Sequence, residues 1–178
     1  FLRTDSHWTP FGAEVVARRL AEHLARQGIW QRGEQTFVTE TVASREHKGD
    51  LQSFLPLEPY FADLQPPAER LHPRLTRAVE GQEASAEDAL FADALPSIAL
   101  VGTSYSANPD WNFAGALKQA LGSDLLNYAQ EGKGPLVPML NLLQQGDKGL
   151  AGVRLVIWEF PERYLMLPSD LSGFDAAW

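Results

Sequence analysis

Residues 98–106 read Ile98-Ala99-Leu100-Val101-Gly102-Thr103-Ser104-Tyr105-Ser106. The aliphatic run at 98–101 predicts a short buried strand, and the glycine and hydroxyl residues after it predict a loop at the strand's carboxyl end. A loop in that position presents the hydroxyl and the backbone N–H of Ser104 to a cleft, which suits a nucleophile. Taken alone, however, Gly-Thr-Ser is more typical of a turn held by local hydrogen bonds, and the turn is the favoured interpretation.

Strands and helices alternate on either side of this segment. The predicted strands are 36–42, 98–101, 125–129 and 153–158, and the predicted helices are 9–28, 70–80, 86–94, 111–121 and 137–145. Residues 43–50 are predicted to form an exposed loop, and the proline-rich region 55–96 a connecting or lid-like insertion. The alternation predicts an α/β fold, in which a parallel sheet is flanked by helices and ligands bind at the carboxyl ends of the strands.

Composition and charge limit the classes of function. With 178 residues, 44% of them hydrophobic and 21% charged, the chain is expected to form a single compact domain over residues 1–178. A net charge of -8 argues against nucleic acid as a partner, and the absence of cysteine excludes disulfides, thiolate zinc sites and cysteine nucleophiles. Because a motif of catalytic type appears at residue 5 of a chain that opens on Phe1, we expect further residues upstream, where a signal peptide or membrane anchor would lie.

The tripeptide Asp5-Ser6-His7 supplies a candidate base. In an extended segment the side chains of Asp5 and His7 project from the same side, so the carboxylate can fix the imidazole tautomer and stabilise the imidazolium. The alternatives are a local turn formed by Asp5 and a metal site that uses both residues. The other histidines show no ligand-like spacing, so we predict neither a metal nor a cofactor. Together, Ser104, His7 and Asp5 provide a nucleophile, a base and an orienting carboxylate, and they are the predicted catalytic residues.

Three segments carry a family resemblance. RTDSHWTPFGAEVVARRL (3–20) resembles the Asp-His block of SGNH hydrolases, above all the TD-x-HWTP-x-GA form of the AlgJ/AlgX family of alginate O-acetylation proteins. GTSYS (102–106) resembles that family's nucleophile block, and VIWEFPERYL (156–165) resembles the segment after a later strand. The resemblance covers most of the chain. Within the family, GDLQSFLPL (49–57) and the lack of a visible carbohydrate-binding module favour the AlgJ branch.

The resemblance implies a fold and a reaction. The fold would be SGNH-hydrolase-like with a permuted order of the catalytic blocks, since Asp5 and His7, which are separated by one residue, precede Ser104. The reaction would be O-acetyl transfer through an acetyl-serine, from an unidentified donor to hydroxyls of an alginate (mannuronate) polymer. The alternatives are a carbohydrate acetylesterase with the same residues and a non-catalytic polysaccharide-binding adaptor.

The resemblance also implies a setting for the reaction. Its partners would be alginate, a membrane-embedded acyl-transfer protein and other proteins of the alginate-secretion complex. Its place would be the periplasm, with an inner-membrane tether formed by an N-terminal segment outside this sequence. The longest aliphatic runs of the sequence itself are strand-sized and fall below the ~20 residues that a membrane span requires.

The oxyanion hole departs from the usual SGNH pattern. Gly132 in the segment Gln130 to Gly134 is the candidate for the family's glycine N–H donor, but no asparagine occurs in residues 159–163. Asn108 or the hydroxyl of Tyr105 is a candidate replacement. Removal of one oxyanion donor typically lowers the rate ~10²–10³-fold, so the position of the second donor matters.

Cations and aromatic rings near the predicted catalytic loops are candidates for binding a uronate polymer. Lys133 and Arg163 would offset the net negative charge of the chain, although Lys133 is also explained as a solvated residue and Arg163 as a local partner of an acidic neighbour, Glu159 or Glu162. Trp8 and Tyr105 are candidates for stacking on sugar rings. A neighbouring tryptophan, at position 111, has apolar residues at helical spacing and is more typical of a core residue.

Overall fold

The computed structural model describes residues 1–79, 96–168 and 171. Their contacts divide the chain into two compact units, of which the first comprises residues 1–78 and 109–122 and the second the described residues of 79–108 and 123–178. A single catalytic domain with an insertion at 55–96 stays a prediction. The helix predicted over 86–94 lies outside the described residues.

The described elements follow the chain in an irregular order of helices and strands. They are α1 (Pro10–Arg26), β1 (Phe37–Thr41), β2 (Arg45–His47), β3 (Glu69–Leu71), β4 (Arg74–Ala78), β5 (Ile98–Val101), α2 (Ser104–Ala107), α3 (Phe113–Leu121), β6 (Leu126–Asn127), α4 (Leu136–Gln144), α5 (Asp147–Leu150) and β7 (Leu155–Trp158). Short 3-10 helices cover Asp50–Phe54, Ala62–Leu64, Pro109–Trp111 and Glu162–Met166. None of the helices formed by the described residues is long and apolar enough to cross a membrane.

In the first unit, the helix predicted from residue 9 is confirmed as α1. The hydroxyl of Thr9 accepts a hydrogen bond from the N–H of Gly12 at 3.0 Å, and Pro10 occupies the first helical position, where its missing N–H has no consequence. Helix α1 packs against α3. Because the segment Asp5-Ser6-His7 directly precedes the N-cap, the start of α1 fixes the chain on the carboxyl side of the predicted base.

Two antiparallel ribbons replace two sequence-based predictions in the first unit. Strand β1 pairs with β4, and β2 pairs with β3, with His47 opposite Glu69. The loop predicted at 43–50 therefore contains a strand, and the helix predicted at 70–80 is wrong because the chain forms β3 and β4 there. Pro73 separates these strands, and a residue before proline is biased away from helical backbone angles.

The second unit contains the parallel sheet that the sequence predicts. Its strand order is β6-β5-β7, and both neighbours run parallel to β5. All four residues of β5 are buried, as expected for a central strand covered on both faces. Leu142 of α4 belongs to the core cluster that contains Ala99 and Val101. The residues that follow β5, β6 and β7 meet at the carboxyl edge of this sheet, which is where an α/β fold binds its ligands.

Candidate active site

Ser104 is the first residue of α2, in the turn that leaves β5. Thr103 is its N-cap, with the hydroxyl accepting a hydrogen bond from the N–H of Tyr105 at 3.4 Å. Gly102 allows the close approach of a neighbouring loop, because a Cβ atom there would lie 2.5 Å from Oε2 of Glu159. A side chain at position 102 would therefore displace the carboxylate of Glu159.

The carboxylate of Glu159 holds the nucleophile turn from both ends. Its Oε2 accepts hydrogen bonds from the N–H of Thr103 at 3.0 Å and from the hydroxyl of Ser106 at 2.8 Å, while Oε1 accepts from the hydroxyl of Thr103 at 3.0 Å. Thr103 and Ser106 are each 3% exposed. Thr103 and Ser106, which lie on either side of Ser104 in the sequence, are thus both held by the side chain of Glu159.

From the sequence, Glu159 is predicted only as a partner of Arg163, and its contacts with the nucleophile turn are not predicted. A signal was present, because Glu159 is the residue directly after β7. In a parallel sheet the residue that follows a strand adjacent to the nucleophile strand is expected at the same edge.

Two contacts join the β6 loop to the nucleophile turn. The side-chain amide of Asn127 donates to the carbonyl oxygen of Ser106 at 3.0 Å, and the N–H of Gln130 donates to the carbonyl oxygen of Gly102 at 3.0 Å. Gly132 lies further along this loop, is exposed, and has a positive φ of 68° that favours glycine. Lys133 is also exposed. The structure thus brings the loop of the predicted oxyanion glycine onto the nucleophile turn.

Arg163 contacts tyrosines. Its guanidinium donates to the hydroxyl of Tyr105 at 3.3 Å and lies 5.7 Å from the centre of that ring and 5.3 Å from that of Tyr164. The alternative partner Glu159 instead faces Thr103. The ring of Tyr105 is buried, so it packs beneath the turn and has little surface for stacking on a sugar.

In the first unit, Asp5 and His7 form the acid–imidazole pair that the sequence predicts. Oδ1 of Asp5 accepts hydrogen bonds from Nδ1 of His7 at 2.6 Å and from its backbone N–H at 2.9 Å. When the Nδ1–H is donated to the carboxylate, the neutral imidazole carries its lone pair on Nε2, which is the atom that a general base uses.

Asp5 is 5% exposed and is held as an anion by its hydrogen bonds. Its Oδ2 accepts from Nε2 of His47 at 2.7 Å and from the N–H of Asp50 at 3.2 Å. Burial by itself raises the pKa of Asp5, but the hydrogen bonds from His47, His7 and Asp50 outweigh it and lower the pKa to about 2. Asp5 is therefore ionised throughout the neutral pH range.

Two tryptophans near this pair are buried, and one of them packs on His7. The indole of Trp111 stacks on the imidazole of His7, with ring centres 5.1 Å apart and planes 20° apart, and Trp111 is 1% exposed. The interpretation of Trp111 as a core residue agrees with this position. Trp8 is also buried and packs against Phe113 at 4.6 Å. Burial gives Trp8 a packing role, in place of the sugar stacking considered from the sequence.

His47, Asp50 and Glu69 are site residues that the sequence analysis missed. The first two lie in a segment predicted as an exposed loop, and Glu69 in a predicted insertion. Glu69 accepts hydrogen bonds from the N–H groups of Arg3 and Thr4 at 2.8 Å and 2.7 Å. The segment before Asp5 is thus anchored on β3, a pairing that no local pattern signals.

Among the described residues, Asp5, His7 and Asp50 could each offer one ligand atom to a metal, and these atoms lie within 4.8 Å of one another. The same atoms are engaged in hydrogen bonds: Asp5 binds both histidines, and Asp50 binds the N–H and hydroxyl of Ser6 at 2.7 Å and 2.5 Å. The arrangement fits a hydrogen-bonded acid–base pair, and we assign it no metal.

Comparison with known proteins identifies relatives that are named for alginate O-acetylation or alginate biosynthesis. The chain is 55% identical to the probable alginate O-acetylase AlgJ of Pseudomonas putida and 56% identical to that of Azotobacter vinelandii, in each case over 100% of this chain and 46% of the relative. It thus spans about half the length of these curated relatives. The solved O-acetyltransferase domain of Pseudomonas putida AlgJ matches with a TM-score of 0.85 and 50% identity, over 99% of this chain and 58% of that one. Pseudomonas aeruginosa AlgX matches with a TM-score of 0.73 and 28% identity, over 90% of this chain and 36% of that one.

The family comparison covers most of the chain. The family model described as "SGNH hydrolase-like domain, acetyltransferase AlgX" matches residues 1–162, which include Asp5, His7, Ser104 and Glu159. The SGNH-like fold and the resemblance to AlgJ/AlgX proteins stated from the sequence are confirmed. This chain belongs to the family of the SGNH hydrolase-like domain of the acetyltransferase AlgX.

Proposed function

We propose that this chain is the catalytic domain of an alginate O-acetyltransferase, with Ser104 as the nucleophile, His7 as the base and Asp5 as the carboxylate that orients the base. The 2.6 Å bond between Nδ1 of His7 and a buried, ionised Asp5 carries the proposal, because it directs the basic lone pair to Nε2. The relatives named alginate O-acetylase support an acetyl group and alginate as the reactants.

The first half-reaction forms an acetyl-serine. Nε2 of His7 accepts the proton of the Ser104 hydroxyl as Oγ attacks the carbonyl carbon of an acetyl donor. The tetrahedral intermediate collapses when the bond to the donor's leaving group breaks, and His7 returns the proton to that group. Asp5 stabilises the transient imidazolium without itself taking the proton.

The second half-reaction passes the acetyl group to the polymer. A hydroxyl of a mannuronate residue gives its proton to His7 and attacks the acetyl-serine, the bond to Oγ breaks, and His7 re-protonates Ser104. Transfer in place of hydrolysis requires that bound polymer outcompete water, which a positioned acceptor achieves through its high effective molarity.

The oxyanion donors proposed here are the N–H groups of Ser104 and Gly132. Support for Gly132 comes from the contact between its loop and the nucleophile turn, through Gln130 and Gly102. For the acidic polymer we propose Arg163 and Lys133 as cationic contacts. Arg163 supports this assignment because its exposed guanidinium lies over Tyr105, the residue next to the nucleophile.

The setting of the reaction is proposed from the relatives' role in alginate modification. We place the protein in the periplasm, tethered to the inner membrane by a segment outside this sequence. Its proposed partners are the alginate polymer, a membrane-bound acyl-transfer protein that supplies acetyl groups, and other proteins of the alginate complex. A pull-down of the full-length protein from membranes of an alginate-producing cell tests this set of partners.

Mass spectrometry of a mannuronate oligosaccharide incubated with an activated acetyl ester and the protein tests the function. An acetylated oligosaccharide that disappears with Ser104→Ala and with His7→Ala supports the transferase. Release of acetate with no acetylated sugar would instead support the acetylesterase. Oligosaccharide binding without turnover, equal in wild type and Ser104→Ala, would support a non-catalytic adaptor.

A further inference from the structure

The geometry points to His47 as a positioning residue for acetyl transfer, which acts by holding the carboxylate of Asp5 in its orientation toward His7. The inference rests on the roles proposed above for Asp5 and His7. Its basis is that Asp5 is shared by two imidazoles. One is that of His7 in residues 3–7, the catalytic loop, and the other is that of His47 in strand β2.

Each carboxylate oxygen of Asp5 accepts two hydrogen bonds, one from an imidazole and one from a backbone N–H. Oδ1 accepts one imidazole N–H and one backbone N–H from His7, while Oδ2 accepts an imidazole N–H from His47 at 2.7 Å and the backbone N–H of Asp50 at 3.2 Å. Rotation of a carboxylate about its Cβ–Cγ bond meets only a broad, shallow torsional preference. The orientation of Oδ1 on His7 therefore also depends on what holds Oδ2, and the shorter of the two bonds to Oδ2 is the one from His47.

His47 is itself held by the β2–β3 ribbon. It lies opposite Glu69 in the antiparallel register, and directly opposite residues project from the same face. Glu69 binds the N–H and hydroxyl of Thr4, both at 2.7 Å, so this pair of side chains holds consecutive residues of the catalytic loop. The ribbon thus presents His47 and Glu69 together to residues 4 and 5.

The residues after His47 lie close to the backbone of Thr4. The N–H of Leu51 donates to the carbonyl oxygen of Thr4 at 3.1 Å. A Cβ atom on Gly49 would lie 1.9 Å from that carbonyl oxygen, so only glycine permits the approach. Backbone contact at Thr4, the residue before Asp5, therefore fixes the distance over which His47 has to reach.

The ring of His47 also contacts Trp111, the residue on which His7 stacks. It meets the indole of Trp111 edge-on, with ring centres 5.6 Å apart and planes at 83°, whereas His7 stacks on the same indole at 5.1 Å. One buried tryptophan thus restrains both imidazoles. With the ring restrained, the hydrogen bond from His47 to Asp5 has a fixed direction.

Variants that differ in the reach of their N–H donor test this role. Nε2 of glutamine reaches about as far from the backbone as Nε2 of histidine, while the amide of asparagine ends near the position of Nδ1. We expect His47→Asn and His47→Ala to lower kcat about 10- to 100-fold on an activated acetyl ester, with KM little changed, because displacement of a catalytic group by ~1 Å costs about 10²-fold. We expect His47→Gln to recover most of the loss. His23→Gln, at an exposed position of α1, is the matched control.

Proton NMR of the His7 Nδ1–H gives a second measurement that requires no turnover. The 2.6 Å bond to Asp5 should place this signal far downfield. We expect it to move upfield in His47→Asn and to stay in His47→Gln and His23→Gln. If His47→Ala fails to fold, the comparison of His47→Gln with His47→Asn still decides whether His47 positions Asp5.

The inference about His47 is overturned if His47→Asn keeps both the wild-type kcat and the downfield signal, or if glutamine and asparagine are equally impaired. Full turnover by Ser104→Ala would instead overturn the proposed function. In that case the NMR comparison still reports whether His47 orients Asp5, so the two failures are distinguishable.

Discussion

Replacement of Glu159 with alanine is expected to loosen the turn that carries Ser104. The change removes the acceptor for the N–H and hydroxyl of Thr103 and for the hydroxyl of Ser106, in two residues that are each 3% exposed. Hydrogen bonds to a charged acceptor contribute about 1.5–3 kcal/mol each, and a buried unsatisfied donor costs about 1–3 kcal/mol. Because Glu159 is only half-buried, water reaches part of the space it leaves, and we expect a net loss of about 2–4 kcal/mol.

Glutamine at the same position separates shape from charge. Glu159→Gln keeps an oxygen that can accept from Thr103 and Ser106, but the bonds become neutral and the second acceptor oxygen is lost. We expect about 1–2 kcal/mol of lost stability, since neutral hydrogen bonds contribute roughly half as much as charge-assisted ones. A displacement of the Ser104 hydroxyl by ~1 Å would lower kcat about 10²-fold, so turnover should fall most in the alanine variant.

Urea unfolding and ester turnover of the same preparations measure both effects of Glu159. Glu162→Ala is the control, because Glu162 is an exposed acidic residue in the same segment. The role of Glu159 is contradicted if Glu159→Ala unfolds at the same urea concentration as Glu162→Ala and retains its kcat. The role of Glu159 is also contradicted if Glu159→Gln keeps the wild-type stability and kcat, since the carboxylate would then contribute nothing beyond its shape.

Three further predictions concern the first unit. The pKa of Asp5, about 2 against an ordinary value of 3.8, means that the unfolded state binds this proton first. The free energy of unfolding should therefore fall by roughly 2 kcal/mol as the pH drops from above 4 toward 2, and urea titrations of Asp5→Asn should lack this part of the acid dependence. Gly49→Ala should lower both stability and kcat, because its Cβ would lie 1.9 Å from a backbone oxygen, whereas Gly12→Ala, with nearest contacts at 3.4 Å, should unfold at an equal or higher temperature. Thr9→Ala should lower the free energy of unfolding by about 1 kcal/mol in urea, through loss of the N-cap of α1.

The parts of the fold that the sequence predicts are those with a local signal. The four buried residues of β5 form an uninterrupted aliphatic run, and Thr9-Pro10 marks the start of α1. The ribbon β2–β3 has no such signal: each strand has three residues, and its stability comes from pairing with a distant partner and from contacts with the catalytic loop. For so short a strand, local propensity carries little information and tertiary contacts decide the structure.

The candidate site shows the same division. Asp5 and His7 are two residues apart, so their pairing is visible in the sequence, whereas His47 lies 42 residues from Asp5. Glu159 lies 56 residues from Thr103. Only the topology of the sheet would have placed Glu159 beside the nucleophile turn, and only the unrecognised ribbon would have placed His47 beside Asp5.

The chain is acidic, and the carboxylates of Asp5 and Glu159 are distinguished by the number of hydrogen bonds that each one accepts. The sequence has 23 aspartate and glutamate residues, and most sequence-based reasons to select one apply to many. Asp5 accepts from two imidazoles and two backbone N–H groups, and Glu159 accepts from one backbone N–H and two hydroxyls. A carboxylate with several donors is fixed in direction as well as in charge. Asp5 binds the proposed base His7. Glu159 binds Thr103 and Ser106, on either side of the proposed nucleophile. Glu69 binds Thr4, the residue before Asp5. Since direction is what a base and a nucleophile require, a count of donors identifies these residues where composition does not.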